Sequence, residues 1–208
     1  MNKIVIAGQI DGDIAVSHEN RGETFYRFML SVKRTSGNVD VIPCIISEVN
    51  LPDITLKQYV KITGEIRTRN YFDNNNKYKL SVFVFVESVE DFERFENHVS
   101  MDCYICKKND VRDTPKGRVI TDFICASNRK YGKSDYIPCI AWGRNANRVT
   151  LFDIGDHIEI AGRFQSREYV KVLDEETKET RIAYELSVAK IRYIEDVNDS
   201  EDGDADEW

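Results

Sequence analysis

A six-residue segment that returns later in the chain constrains this protein more than any other feature. Asp40-Val41-Ile42-Pro43-Cys44-Ile45 recurs as Asp135-Tyr136-Ile137-Pro138-Cys139-Ile140, a displacement of 95 positions (135 minus 40). The same displacement carries Gly22 onto Gly117, Phe28 onto Phe123 and Arg34 onto Arg129. Further along, residues 60–71 reappear as 158–169, and Tyr78-Lys79-Leu80-Ser81-Val82 matches Tyr184-Glu185-Leu186-Ser187-Val188. Ordered blocks whose spacing grows slightly predict one unit used twice, with loop insertions in the second copy. The first domain is placed at residues 1–90, a charged linker at 91–98, the second domain at 99–194 and a tail at 195–208. Two domains of roughly 100 residues also suit a chain of 208.

Within each unit apolar residues alternate with polar ones, the pattern of half-buried strands. It predicts strands at residues 3–10, 25–33, 39–46, 59–71 and 77–86, then at 99–107, 121–128, 135–142, 157–169 and 181–194. Between the third and fourth strands, residues 49–57 and 144–152 each have room for one short helix. Ala146 and Val149 would face the core there, while Pro52 opposes the helix in the first unit. Five strands with a helix between the third and fourth is the order of an OB-fold. The expectation is therefore an all-β chain of two tandem five-stranded Greek-key barrels, each with a short helix, followed by a disordered acidic tail. Gly64 and Gly162, midway along the long fourth strands, suit the bend that barrel closure needs.

Charge is distributed unevenly. The net charge is -7, but from Glu195 onward there are eight acids and no Lys or Arg. Removing those eight from 36 acids leaves 28 against 29 bases, so the body is close to neutral. Neutrality permits a local basic groove without arguing for one. No apolar run is long enough to cross a bilayer, and the polar N-terminus does not read as a signal peptide. An odd count of five cysteines fits a reducing compartment, so an intracellular, cytoplasmic protein is expected.

Residues two apart on a strand share a face. On the third strand of unit two, Ile137, Cys139 and Ala141 read as core, which turns Tyr136, Pro138, Ile140 and Trp142 the other way. On the fourth strand Arg163, Gln165, Arg167 and Tyr169 share a face. Flat rings beside cations are what an unpaired nucleic acid strand requires: rings stack bases and cations meet phosphates. Unit one repeats this on its fourth strand with Arg67, Arg69 and Tyr71, followed by Phe72, but has Val41 and Ser47 where unit two has Tyr136 and Trp142. Unit two is thus expected to stack bases more strongly. The turns between strands two and three supply further cations, Lys33 and Arg34 in one unit, Arg129, Lys130 and Lys133 with Tyr131 in the other. The polar hairpins at residues 73–76 and 173–180 are not assigned phosphate contacts in unit two, where Asp174, Glu175, Glu176 and Glu179 make the hairpin acidic.

The segments Asp135 to Trp142 and Gly64-Glu65-Ile66-Arg67-Thr68-Arg69-Asn70-Tyr71 resemble the bacterial single-stranded DNA-binding protein family. The resemblance implies binding and protection of single-stranded DNA in replication, recombination and repair. It implies base stacking at Tyr136, Trp142 and Tyr169, and a homodimer presenting four barrels. It also implies a bacterial, nucleoid-associated protein, of chromosomal, phage or plasmid origin. The terminal residues, with Asp202, Asp204, Asp206, Glu207 and Trp208, look like the family's acidic partner-binding tail, although they close on Trp rather than on Pro-Phe.

No cofactor, metal or catalytic residue is expected. Cys103 and Cys106 form one C-x-x-C without a second pair, whereas a tetrahedral zinc site needs four ligands. His18, His98 and His157 have no ligand spacing, and no phosphate-binding glycine loop or nucleophile elbow is present. The competing readings are a primosome or replication adaptor that uses its barrels for protein or RNA, and an OB-type nuclease.

Overall fold

The computed structural model describes residues 1–52, 54–73, 76–172 and 178–195. The acidic tail from residue 196 on lies outside the described residues, and so do Asn74, Asn75 and residues 173–177 of the hairpins.

The first unit comprises β1 (Asn2–Asn20), β2 (Glu23–Lys33), β3 (Val39–Ser47), β4 (Tyr59–Phe72) and β5 (Tyr78–Asp91). The second comprises β6 (Asn97–Lys108), the two-residue β7 (Arg112–Asp113), β8 (Val119–Asn128), β9 (Ser134–Trp142), the helix α1 (Arg144–Thr150), β10 (His157–Val172) and β11 (Lys178–Tyr193). In unit one β1 pairs with β2, β2 with β3, β3 in parallel with β5, β5 with β4, and β4 again with β1, which closes a barrel. Unit two repeats the circuit through β6, β8, β9, β11 and β10. These are two OB-fold barrels in tandem. Their interiors are filled by the predicted alternating residues, such as Ile42, Cys44 and Ile46 on β3 and Ile137, Cys139 and Ala141 on β9, all at most 2% exposed.

β1 runs ten residues past its expected end. The predicted strand ends at Ile10, whereas the chain carries Asp11, Gly12 and Asp13 as an irregularity inside one longer strand, with Gly12 at φ +75°. This length lets β1 serve two partners along one edge: residues 2–6 pair with β6 of the other barrel and residues 9–20 pair with β2. The β1–β6 ladder thus fuses both barrels into one eleven-stranded sheet.

The helix between the third and fourth strands is present in unit two, where Ala146 and Val149 are buried as the pattern predicts. In unit one it shrinks to a single 3-10 turn, Glu48–Asn50, with no buried residue. Pro52 explains the difference, since proline bars the preceding residue from helical backbone angles, and Leu51 is extended at φ -79°, ψ 107°.

The fifth strands need a correction. Tyr78–Val82 does not correspond to Tyr184–Val188 in space. Gly64 lies opposite Val86 and Gly162 opposite Val188, so Val82 corresponds to Tyr184 and Tyr78 to Thr180. The motif match is four residues out of register. An even shift leaves every side chain on its own face, so alternation cannot expose the error.

Gly64 and Gly162 occupy register shifts in the β4–β5 and β10–β11 ladders. A Cβ on either glycine would lie 2.1 Å from a backbone carbonyl oxygen, that of Phe85 or Ser187. The obstacle is main chain and cannot rotate away. Gly162→Ala is therefore expected to cost at least the ~1–3 kcal/mol typical of overpacking, seen as a lower denaturant midpoint; an unchanged midpoint would show that the bend can relax.

Candidate nucleic-acid interface

On barrel one, the outer walls of β2 and β3 and the far ends of β4 and β5 enclose a groove of about 630 Å³ whose walls include Arg27, Met29, Pro43, Arg69, Tyr71 and Phe83. A second groove of about 520 Å³ shares Met29, Pro43, Tyr71 and Ser81 with the first and reaches Tyr169, Arg181 and Tyr184 of barrel two. The two make a single trough that crosses from one barrel to the other. Tyr71 and Tyr169 stand in it, 40% and 37% exposed, accessible enough for their faces to meet a flat ligand.

The cations of the trough differ in how they are held. Arg27 and Arg69 are exposed and meet no carboxylate among the described residues, and Asp13 is the one acid lining that part. Lys79 is paired with Asp73 at 2.9 Å and Arg181 with Glu179 at 2.6 Å. Arg167 donates from Nε and Nη2 to the two oxygens of Glu185, each at 3.1 Å, and lies 5.8 Å from the Tyr169 ring. Its hydrogen bonds to Glu185 raise the Arg167 pKa further. Gln165, expected on the open face, is instead buried and donates to Glu185 at 2.9 Å.

Other expected site residues are dispersed. Tyr136 is 49% exposed and Trp142 is half-buried at the end of β9, opposite Ile120. Between them Ile140, assigned to the outward set, is only 2% exposed, so the outer wall of β9 is not a continuous open aromatic face. Arg67 is bonded to Glu65 at 3.0 and 2.9 Å and lies 3.6 Å over the Phe85 ring. Arg163 donates to Gln165 at 3.1 Å. Phe72 is 65% exposed and meets Tyr78 edge-on at 5.4 Å. Lys33 lies 5.7 Å from the ring of Phe95 in the segment joining the barrels.

Lys130, Tyr131 and Lys133 crown the β8–β9 turn. Tyr131 adopts φ +74° and its side chain is 99% exposed. This turn leans over barrel one and bounds a third groove, of about 1040 Å³, with Arg21 and Arg67 on the opposite wall.

Arg34 and Arg129 lie elsewhere than the sequence suggests. Arg129 grips Asp135, which is fully buried, and also donates from Nη2 to the Thr68 carbonyl of the other barrel at 3.2 Å. Asp135 Oδ1 accepts from the Thr68 backbone N–H at 2.5 Å and from its hydroxyl at 3.2 Å. The Thr68 hydroxyl in turn accepts from Tyr136 N at 3.1 Å. The mirror set joins Arg34, Asp40 and Ser166: Arg34 to the Ser166 carbonyl at 3.0 Å, Ser166 N to Asp40 at 2.7 Å and Val41 N to Ser166 Oγ at 3.1 Å. Both arginines have their pKa raised by the hydrogen bond to their aspartate. They clasp the two barrels together, and their guanidinium groups are committed to that task.

Among the described residues no group of three or more His, Cys, Asp and Glu could hold a metal ion, and no helix is long and apolar enough to cross a membrane. Cys103 is buried and Cys106 half-exposed, on opposite faces of β6 as strand geometry requires. The hydrogen bond that the Cys103 thiol donates to Cys125, together with burial, pushes this thiol well above its usual range, so it stays protonated.

Residues 96–194 match the family described as the single-strand binding protein family. Single-stranded DNA-binding protein 2 of Listeria monocytogenes is 29% identical over 111 residues, 48% of this chain and 68% of that protein. The wild-type single-stranded DNA binding protein of Thermus aquaticus superposes with a TM-score of 0.74 at 16% identity, covering 94% of each chain. A deletion mutant of the same Thermus protein gives 0.73 at 17% identity, covering 97% of this chain and 98% of that one. The Thermus likeness speaks for the tandem-barrel fold, and the family match falls on the barrel built from β6 to β11. The second barrel thus resembles the single-strand binding protein family in sequence, and both barrels resemble the Thermus protein in fold.

Proposed function

We propose that the chain binds single-stranded DNA along the trough, without strong sequence preference. The observation that carries this reading is the continuity of the two grooves, with Tyr71 and Tyr169 in one path and Arg27 and Arg69 beside it. Stacking on rings and neutralising phosphates are both indifferent to base identity. The names of the Listeria and Thermus relatives support the same ligand. The protein protects its strand and does not cleave it, acts in bacterial replication, recombination and repair as a homodimer, and recruits partners through its acidic terminal residues. Lys130, Tyr131, Lys133 and Tyr136 extend the contact beyond the trough, with Trp142 stacking at the edge of β9.

A salt-dependent titration against single- and double-stranded DNA, with light scattering for mass, tests this. Affinity is expected to be higher for the single strand and to fall with salt, at twice the 24.1 kDa chain mass. Equal binding to both DNAs, or none at low salt, overturns the proposal. Cleavage of a labelled strand with a divalent metal favours a nuclease, and binding to RNA alone favours an adaptor.

A further inference from the structure

We infer that the two barrels grip a strand by different means: barrel one neutralises phosphates through Arg27 and Arg69, while barrel two offers rings beside two arginines, Arg112 and Arg167, already neutralised by Asp122 and Glu185. The inference rests on the single-stranded DNA reading above and adds a difference in charge to the expectation that unit two stacks bases more strongly.

Register defines which positions correspond. Arg27 lies opposite Ile45 on β3, and Asp122 lies opposite Ile140 on β9, so an arginine in barrel one is replaced by a carboxylate in barrel two. Arg69 lies opposite Ser81 and Arg167 opposite Ala183, so these arginines are equivalent. Their neighbours are not, because Phe83 faces Arg67 where Glu185 faces Gln165. Phe83 leaves Arg69 free, and Glu185 takes two of the Arg167 donors. The second carboxylate, Asp122, is paired with Arg112. A third cation of barrel two, Lys108, is spent on the carbonyls of Thr150, at 3.2 Å, and Phe152. At the positions equivalent to Arg27 and Arg69, barrel two therefore presents a carboxylate and a closed ion pair, whereas barrel one presents two guanidinium groups with open donors.

Such an arrangement has a measurable signature. A cation that meets a phosphate releases a counterion, contributing a slope of about 0.7 in the log–log dependence of affinity on salt for single strands. A cation already balanced by a neighbouring carboxylate releases little. The salt dependence carried by these equivalent positions should thus reside in barrel one, with the rings of barrel two supplying a salt-insensitive part.

The test uses the full chain and a labelled oligo(dT) of about 30 nucleotides, near the upper span of two OB folds. Arg27→Ala and Arg69→Ala are each expected to lower the salt slope by about 0.7, and Asp122→Asn and Glu185→Gln each to raise it by about 0.7, by releasing Arg112 and Arg167. Glu185 is nearly buried, so if Glu185→Gln unfolds, Asp122→Asn, at a carboxylate 28% exposed, carries that arm alone. An unchanged slope in the two arginine variants overturns the inference. So does an unchanged slope once the barrel-two arginines are released. Either result leaves the DNA-binding reading standing; a wild-type chain that binds no oligo(dT) at any salt removes that reading and the inference with it.

Discussion

Replacing Asp135 with Ala is expected to lower the thermal unfolding midpoint by about 6–12 °C, at 2–4 °C per kcal/mol for a chain of this size. The carboxylate is fully buried, and it simultaneously balances Arg129 and accepts the Thr68 backbone N–H of the other barrel. Removing it strands a charge and an amide in a place that water reaches poorly. Orphaning one member of a buried pair costs about 3–5 kcal/mol. The lower figure applies, because 26% of the Arg129 side chain still sees solvent. Asp40→Ala tests the mirror site, whose bonds to Arg34 and Ser166 repeat the same pattern. The control is Asp11→Ala, whose partner Lys57 is 60% exposed and whose loss should leave the midpoint unchanged. If Asp135→Ala melts like that control, the clasp does not hold the barrels together.

This clasp is within reach of the sequence. Asp40 shares strand parity with Ile42 and Cys44, as Asp135 does with Ile137 and Cys139, so alternation alone points both carboxylates at the core. A carboxylate there demands a partner. An arginine stands six positions earlier in each repeat, at Arg34 and Arg129. Basic turns in a chain suspected of binding DNA drew those arginines to phosphates instead. Arg27 was missed for the opposite reason, since nothing in the order of residues marks one outward arginine on β2 as unpaired. The open state of Arg69 beside it depends on Phe83 standing on β5 where Glu185 stands on β11, a non-local fact that becomes readable only in register. The duplicated barrels and the buried faces, by contrast, follow from period-two patterning, which is local and repeated.

The trough also makes a prediction about its rings. Tyr71→Ala and Tyr169→Ala are each expected to weaken oligo(dT) binding about tenfold or more, since a stacked base is worth about 1–3 kcal/mol and 1.4 kcal/mol is a factor of ten. Tyr→Phe at either site keeps the flat face and should lose much less, which separates stacking from a hydrogen bond by the phenol. The two tyrosines line the same saddle, with Met29 and Pro43 on its floor, while Lys79 and Arg181 beside them are already paired. Their contribution should therefore survive high salt, unlike that of Arg69. If the strand crosses the saddle, the double variant reports how: losses that multiply mean two separately stacked bases, and a double loss no larger than the single one means one base shared between the rings. Full binding by Tyr71→Ala and Tyr169→Ala together would mean that the strand takes a path that avoids the saddle, and the contact would have to be sought across the β8–β9 turn at Lys130 and Tyr131.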